Sequence, residues 1–229
     1  MEKNTAILVF ARSARHEMRY KILHANKRVN QQLHTALFNK TITTVEATGL
    51  PYFVIDEKQQ NGLTFGEKFT NAFEKIFNIG YENVIAVGSD CVNLSTLQID
   101  TANKNLQNNI CTFGPDFHNG IYLIGLNKNC FNKEVLASLN WCSKKLLSQL
   151  SNYFQTNNIL LHHLQKLADV NISQEFSYIL KKEIHSSFIK FICHLLLSLN
   201  RLFSPDNISF RKTSCKLSLI LRGPPAAAF

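Results

Sequence analysis

Asn83-Val-Ile-Ala-Val-Gly-Ser-Asp-Cys-Val-Asn-Leu94 passes from a short apolar run into a polar turn. Residues 84–87 have the length and composition typical of a buried strand, and Gly88, Ser89 and Asp90 end it. Ligands of open α/β sheets bind outside the carboxyl ends of the strands. The turn is therefore a candidate site for a metal ion or a phosphate group.

Asp90 is the first candidate for a functional residue, because a carboxylate supplies the hard oxygen atoms that divalent metals bind. It could equally cap the helix predicted to begin near Ser95 or Thr96, since aspartate is common at that position. Its spacing in the sequence favours neither interpretation.

Strand and helix patterns alternate on both sides of this turn. Thr64 and Glu67 have the spacing of a capping box, and the segment 41–45 is so rich in β-branched residues that we expect the helix containing it to fray or break. The alternation predicts an α/β fold, a three-layer Rossmann-like sandwich with a mostly parallel mixed sheet, over residues 1–180. The predicted strands cover residues 6–11, 52–55, 84–87, 110–113, 121–125 and 159–161. The predicted helices cover residues 26–47, 64–79 and 96–108, and a further helix, capped by Ser143, extends to about residue 154.

Two loops are expected beside the Asp90 turn. The first, after the opening strand, carries Arg12, Arg15, Arg19 and Lys21, which could hold phosphates through charge-assisted hydrogen bonds or belong to an ordinary solvated loop. The second, residues 114–120, is rich in turn residues and precedes another strand. We expect the two loops to form walls of one cleft.

The composition limits the class of protein. The 229 residues, 45% of them hydrophobic, suffice for one domain with a proper core. Six widely spaced cysteines without a Cys-x-x-Cys pair, and an opening apolar run too short for a secretory signal, predict reduced thiols in the cytoplasm. A basic face with interleaved aromatic residues is missing from the body of the chain, so we expect no nucleic-acid partner.

Residues 181–229 form a basic tail that contains eight Lys or Arg residues and two acidic residues. The tail therefore carries most of the formal net charge of the chain, which is +9. Within it, residues 186–203 are apolar almost all round but too short and too charged for a bilayer span. The segment is predicted to be a helix that packs on its own domain, contacts a second copy in a homodimer, or lies against the inner face of the membrane.

Several motifs can now be compared together. Phe10-Ala11-Arg12 is similar to a Phe-Ala-Lys end of a first strand, and residues 88–94 are similar to Gly-Ser-Asp-Cys-Pro-Asp-Leu. Residues 114–126 are similar to Gly-Pro-x-x-Asp-Gly-Gly-Tyr-Tyr-Leu-x-Gly-Leu, residues 140–143 to Pro-Trp-Gly-Thr, and residues 169–171 to Asp-x-Asp/Asn. In this order the motifs resemble those of the bacterial glycosyltransferase-like family, the arsenosugar-biosynthesis type of the nucleotide-diphospho-sugar transferase superfamily, over about residues 5–180.

The resemblance implies the GT-A fold, a nucleotide or nucleotide-sugar partner, and a divalent metal, Mg²⁺ or Mn²⁺, at the diphosphate. By the same resemblance Asp90 is a catalytic metal ligand, and Asp169 or Asn171 supplies a second oxygen atom. The nucleotide is then expected to contact Ala11, Arg12, Ser13, Lys21, Gly88, Ser89 and Gly120.

The sequence departs from the family's motifs in the same loops. His118-Asn119-Gly120 stands where the family has Asp-Gly-Gly, and Val92-Asn93 where it has Pro-Asp, so two carboxylates are lost. A site with less negative charge binds a divalent cation less tightly. His118 is a candidate catalytic base near neutral pH, with a surface histidine as the alternative.

Three functions follow as hypotheses. The first is a glycosyltransferase-like enzyme that uses a nucleotide-sugar donor and a small-molecule or lipid-linked acceptor. The second is a nucleotidyltransferase-like enzyme. The third is a nucleotide-binding or interaction protein that has kept the fold after its acids drifted.

Overall fold

The computed structural model describes residues 5–170 and 187–202. Their α/β order confirms the predicted fold class. The strands are β1 (Thr5–Phe10), β2 (Tyr52–Ile55), β3 (Asn83–Val87), β4 (Cys111–Pro115), β5 (Ile121–Asn127) and β6 (Leu161–His163). The helices are α1 (Ala14–Glu17), α2 (Lys27–Glu46), α3 (Phe65–Asn78), α4 (Thr96–Gln107), α5 (Lys133–Ser138), α6 (Leu146–Thr156) and α7 (Ser187–Leu202), with a 3₁₀ turn at Lys128–Cys130.

The six strands form one sheet in the order β2-β1-β3-β5-β4-β6. Strand β5 is antiparallel to both of its neighbours, β3 and β4, and the other paired strands are parallel. The carboxyl ends of β1, β3 and β4 therefore lie at one edge of the sheet, as predicted from the turns that follow them. Strand β4 ends two residues later than predicted, at Pro115.

Alternate residues of the central strands pack on opposite faces of the sheet, as the two-residue period of a strand requires. One face packs mainly against α3, α5 and α6, and the other against α2 and α4. Within β1, for example, Ala6 and Leu8 belong to the first layer and Ile7 and Val9 to the second, all with no exposed surface. The result is the predicted three-layer sandwich.

Helix α2 corrects one prediction. The segment 41–45 neither frays nor breaks, because α2 runs without interruption to Glu46. Thr41 and Val45 are buried in it, at 1% and 0% exposure. Packing on one helical face thus outweighs the preference of β-branched side chains for strands.

Helix α7 packs on α2, which was one of the three interpretations of the apolar segment 186–203. Ile189 and Ile192 are fully buried among residues that include Val29, Leu33 and Val170. Within the described residues, no helix is both long and apolar enough to cross a membrane. A homodimer contact, a contact with the membrane's inner face, and the domain boundary at residue 180 remain predictions.

Candidate functional site

A cavity of about 700 Å³ opens at the carboxyl ends of β1 and β3. This is where ligands bind in sheets of this kind, and the volume is within the usual range for small-molecule sites. Its lining includes most of the residues singled out in the sequence, namely Ala11, Arg12, Lys21, Gly88, Ser89, Asp90, Gly120 and Asp169.

The turn after β3 presents Asp90 to the cavity, and the structure excludes Asp90 as the cap of α4. Ser95 occupies the cap position, and its backbone N–H and its hydroxyl both donate to the side chain of Gln98. A Cβ atom at Gly88 would stand 2.9 Å from Asp90 Oδ1, so a side chain there would displace the Asp90 carboxylate. The carboxylate of Asp90 is therefore available for interactions across the cavity.

Asp169 is brought beside this turn by the backbone. Cys91 pairs with Asp169 in an isolated antiparallel bridge, and the N–H of Val170 donates to the carbonyl of Asp90 at 3.0 Å. The side chain of Asp169 is nearly buried, and its Oδ1 has no hydrogen-bond partner in the described part of the chain. Burial raises the pKa of Asp169 well above its usual range, and the charges of Asp90 and Asp116 raise it further.

Lys21 is the counter-charge of Asp90. Its ammonium group pairs with Asp90 Oδ2 and lies 3.6 Å from Glu17 Oε1. Burial by itself lowers the pKa of Lys21, but Asp90 and Glu17 reverse the effect, so that the net shift is upward and the side chain stays charged. The backbone carbonyl of Lys21 accepts hydrogen bonds from Asn30 at 3.2 Å and His34 at 2.9 Å, which fix this segment on α2.

Arg12 and its neighbours form a second charged group at the end of β1. The Arg12 guanidinium donates to Glu17 at 3.1 Å and lies 4.4 Å from the ring centroid of Tyr20. The carboxylate of Glu57 accepts from the N–H of Ser13 at 2.7 Å and from its hydroxyl at 2.6 Å. Partial burial raises the pKa of Glu57, but the hydrogen bonds from Ser13 outweigh this effect and lower the pKa to about 2.

An aromatic wall closes one side of the cavity. Its members are Phe10, Phe65, Phe69 and Trp141, whose ring centroids lie 4.7–5.8 Å from one another where they pair. The indole N–H of Trp141 donates to the carbonyl of Leu136 at 2.7 Å, which holds the ring in place. The cavity thus has one charged side and one rigid aromatic side.

The turn 116–120 lies beside the cavity, but its histidine does not line it. His118 is exposed, and together with Ser13 it is outside the set of described residues that form the lining. Asp116 is buried and accepts the N–H groups of His118 at 2.7 Å and Gly120 at 2.6 Å. A Cβ on Gly120 would stand 2.4 Å from Asp116, so glycine is required there. Asn171, the other predicted metal ligand, lies outside the described residues.

The sequence analysis did not predict three acidic residues of the site. Glu17 and Glu57 partner the basic loop, and Asp116 adds a buried negative charge near Asp169. Asp116 could have been found, because a Gly-Pro-Asp turn that ends in glycine often uses its aspartate to bind the following N–H groups. Glu57 offered no such signal, since its contact with Ser13 spans 44 residues of sequence.

Asp90 and Asp169 are the described residues best placed to hold a divalent cation. Among the described residues, the buried Oδ1 of Asp169 has no hydrogen-bond partner, and Asp90 Oδ2 pairs with Lys21, itself a cation. The described residues hold no group of three or more His, Cys, Asp or Glu that could enclose a metal by itself. Two carboxylates are nevertheless enough for Mg²⁺, which usually completes its coordination with water and substrate phosphate. The residues present therefore fit such an ion.

A comparison with a solved structure agrees with this architecture. A solved structure from Desulfovibrio desulfuricans G20, described as a candidate nucleotide-diphospho-sugar transferase, superposes with a TM-score of 0.75 at 19% identity, covering 88% of this chain and 99% of the other. At this identity the likeness shows the fold alone. Rv0371c of Mycobacterium tuberculosis H37Rv, solved in complex with manganese, has a TM-score of 0.46 at 10% identity, covering 78% and 99% of the two chains.

Sequence comparisons add a family. The family described as "Uncharacterized protein conserved in bacteria (DUF2064)" has a model that matches residues 23–143, more than half of the chain. No curated protein matches the sequence.

Proposed function

This chain belongs to the DUF2064 family, and from that premise we propose that it is a transferase acting on a nucleotide-diphospho-sugar with the help of Mg²⁺ or Mn²⁺. The arsenosugar-biosynthesis type of glycosyltransferase, which the motifs resemble, is the finer form of this proposal. The observation that carries it is the pair of carboxylates, Asp90 and Asp169, held together at the carboxyl edge of the sheet with Asp169 Oδ1 unpartnered among the described residues.

The charges around the cavity suit a diphosphate. Arg12 and Lys21 supply donors for charge-assisted hydrogen bonds to phosphate oxygens, which are roughly twice as strong as neutral ones. Asp90 and Asp169 would hold the metal ion, which when bound neutralises negative charge on the leaving phosphate. The aromatic wall formed by Phe10, Phe65, Phe69 and Trp141 offers an apolar surface to the base or the sugar.

A second candidate function rests on the ion pair between Lys21 and Asp90. Because Lys21 already neutralises Asp90, the site could bind a nucleotide without a metal ion. The protein would then be a nucleotide-binding or interaction protein that does not catalyse transfer.

The experiment is a thermal-shift screen with nucleotides and nucleotide sugars, each with Mn²⁺ and with chelator, followed by assays of turnover. A ligand at 100 times its dissociation constant should raise the melting temperature by about 5–10 °C. Release of a nucleoside diphosphate identifies glycosyl transfer or donor hydrolysis, and release of pyrophosphate from a nucleoside triphosphate identifies nucleotidyl transfer. Binding that is equally strong in chelator, without turnover, supports the second function instead.

A further inference from the structure

A polar cluster is buried at the amino end of β3, at the other end of the strand from Asp90. Its centre is Asn127, whose side-chain N–H₂ donates to Asn83 Oδ1 at 2.6 Å and to the carbonyl of Leu106 at 3.0 Å. These two bonds use both donors and so fix the orientation of the amide. Its Oδ1 therefore accepts from two thiols, Cys111 Sγ at 3.9 Å and Cys130 Sγ at 3.8 Å.

The two thiols interact with each other as well as with Asn127. The contact between the side chains of Cys111 and Cys130 lowers the pKa of Cys130. The same contact, together with burial, raises the pKa of Cys111 far above its usual range, so Cys111 keeps its proton. Cys130 is consequently the member of the pair that forms a thiolate more readily.

Access to solvent is also unequal. Cys111 lies in β4 with no exposed surface, whereas Cys130 is half-buried in the 3₁₀ turn after β5. A small oxidant can therefore meet Cys130 but not Cys111. Susceptibility of a cysteine to oxidation follows both thiolate character and exposure, and Cys130 has both.

We propose that Cys111 and Cys130 form a peroxide-sensitive disulfide site. The Cys130 thiolate attacks one oxygen atom of a peroxide, the O–O bond breaks, and Cys130 becomes a sulfenic acid while hydroxide leaves and takes up a proton. The Cys111 sulfur then attacks the Cys130 sulfur, an S–S bond forms, and the Cys111 proton and the sulfenic hydroxyl leave as water. With hydrogen peroxide, two thiols and one peroxide give one disulfide and two water molecules.

The disulfide would join the first residue of β4 to the 3₁₀ turn that follows its neighbour β5. Cross-linking two such segments restricts the unfolded chain and so resists unfolding. The cavity lies at the opposite end of β3, so oxidation should leave ligand binding there unchanged. The inference is thus independent of the proposed transferase activity.

The test is carried out on the full chain, reduced and then treated with hydrogen peroxide. Remaining thiols are blocked with N-ethylmaleimide, and the protein is digested without reductant for mass spectrometry. We expect a linked pair of peptides containing Cys111 and Cys130, with a mass about 2 Da below the sum of the two thiol forms. We also expect a higher midpoint of denaturant unfolding, which reductant reverses.

Two variants sharpen the result. Cys111→Ser should stop the reaction at the Cys130 sulfenic acid, which dimedone traps, whereas Cys142→Ser, at an exposed cysteine outside the pair, should form the disulfide as the parent does. The inference is overturned if both peptides of the treated parent carry N-ethylmaleimide, or if Cys142 is oxidised while Cys111 and Cys130 stay reduced. Because the peptide map of the parent decides by itself, a failure of Cys111→Ser to fold leaves the test intact.

Discussion

At the scale of single residues, Lys21 has two competing roles. Its ammonium group pairs with Asp90, yet the same group is placed to bind a phosphate in the cavity. A metal ion and Lys21 both seek the oxygen atoms of Asp90, so a nucleotide that draws Lys21 away would release Asp90 for the metal. Nucleotide and metal should therefore bind cooperatively.

Lys21→Met separates these roles, because methionine keeps much of the length but not the charge. Without a nucleotide, Mn²⁺ should bind about tenfold more tightly than in the parent, since about 1.4 kcal/mol of competition is removed. Nucleotide affinity should fall by about tenfold or more through the lost charge-assisted hydrogen bond. Manganese electron paramagnetic resonance and calorimetry measure the two affinities.

Lys75→Met, at an exposed lysine of α3, serves as the matched control and should change neither affinity. Weaker Mn²⁺ binding by Lys21→Met in the absence of nucleotide would contradict the competition between Lys21 and the metal ion.

Glu57 gives a prediction that depends on pH. Its folded pKa of about 2 is below its ordinary value of 4.5, so its contribution to stability is present above pH 4.5 and is lost as the pH falls towards 2. Glu57→Gln should therefore lower the free energy of unfolding by about 1 kcal/mol near pH 7, the usual net contribution of a hydrogen bond. The difference between parent and variant should shrink through that window.

Denaturant unfolding of parent and variant at a series of pH values measures this difference. Glu82→Gln, at an exposed glutamate before β3, is the control for loss of one surface charge. A stability difference that stays constant from pH 7 down to pH 2.5 would show that the charge of Glu57 is not involved.

At the scale of elements, helix α2 positions the basic loop. Asn30 is buried in α2 and accepts the N–H of Leu23 at 2.8 Å while donating to the carbonyls of Lys21 and Met18. Asn30 also accepts the N–H of His24 at 3.2 Å, so one side chain binds four points of the segment that carries Lys21. No pattern in the sequence relates Asn30 to the loop that precedes it in the chain.

Asn30→Ala should lower the free energy of unfolding by about 1–3 kcal/mol, because it leaves buried backbone groups without partners. It should also weaken nucleotide binding, since the backbone of the segment that carries Lys21 is no longer fixed beside the cavity. Chemical denaturation and calorimetry measure the two effects. Gln31→Ala, on the exposed side of the same helix, is expected to change neither, and equal effects of the two substitutions would contradict the role of Asn30.

The elements themselves were largely predictable, for local reasons. The capping box at Thr64 and Glu67 forms with both of its hydrogen bonds, and α3 follows from it. By contrast, the β-branched run in α2 misled the prediction, because burial on the helix face depends on partners far away in sequence. The apolar segment that became α7 had three open interpretations until its contacts with α2 were known.

At the scale of the whole molecule, the fold brings four distant parts of the chain to one edge of the sheet. They are the segments around residues 12–21, 88–90, 120 and 169. The turns after β1 and β3 were recognised from strands that end in polar residues, and both reach the cavity. The approach of Asp169 to Asp90 rests on a backbone bridge between segments 78 residues apart, which the sequence alone indicated only through the resemblance to a family. Long-range pairings of this kind depend on the complete sheet, so local patterns do not predict them.

The most direct test of the account is the Mn²⁺ dependence of nucleotide affinity in Asp90→Asn, compared with the parent and with Asp100→Asn on α4. We predict that Mn²⁺ strengthens binding of a nucleotide or nucleotide sugar in the parent and in Asp100→Asn, and that this effect disappears in Asp90→Asn. The variant should fold normally, because Ser95 and not Asp90 caps α4. Equal strengthening by Mn²⁺ in all three proteins would contradict a metal site at Asp90.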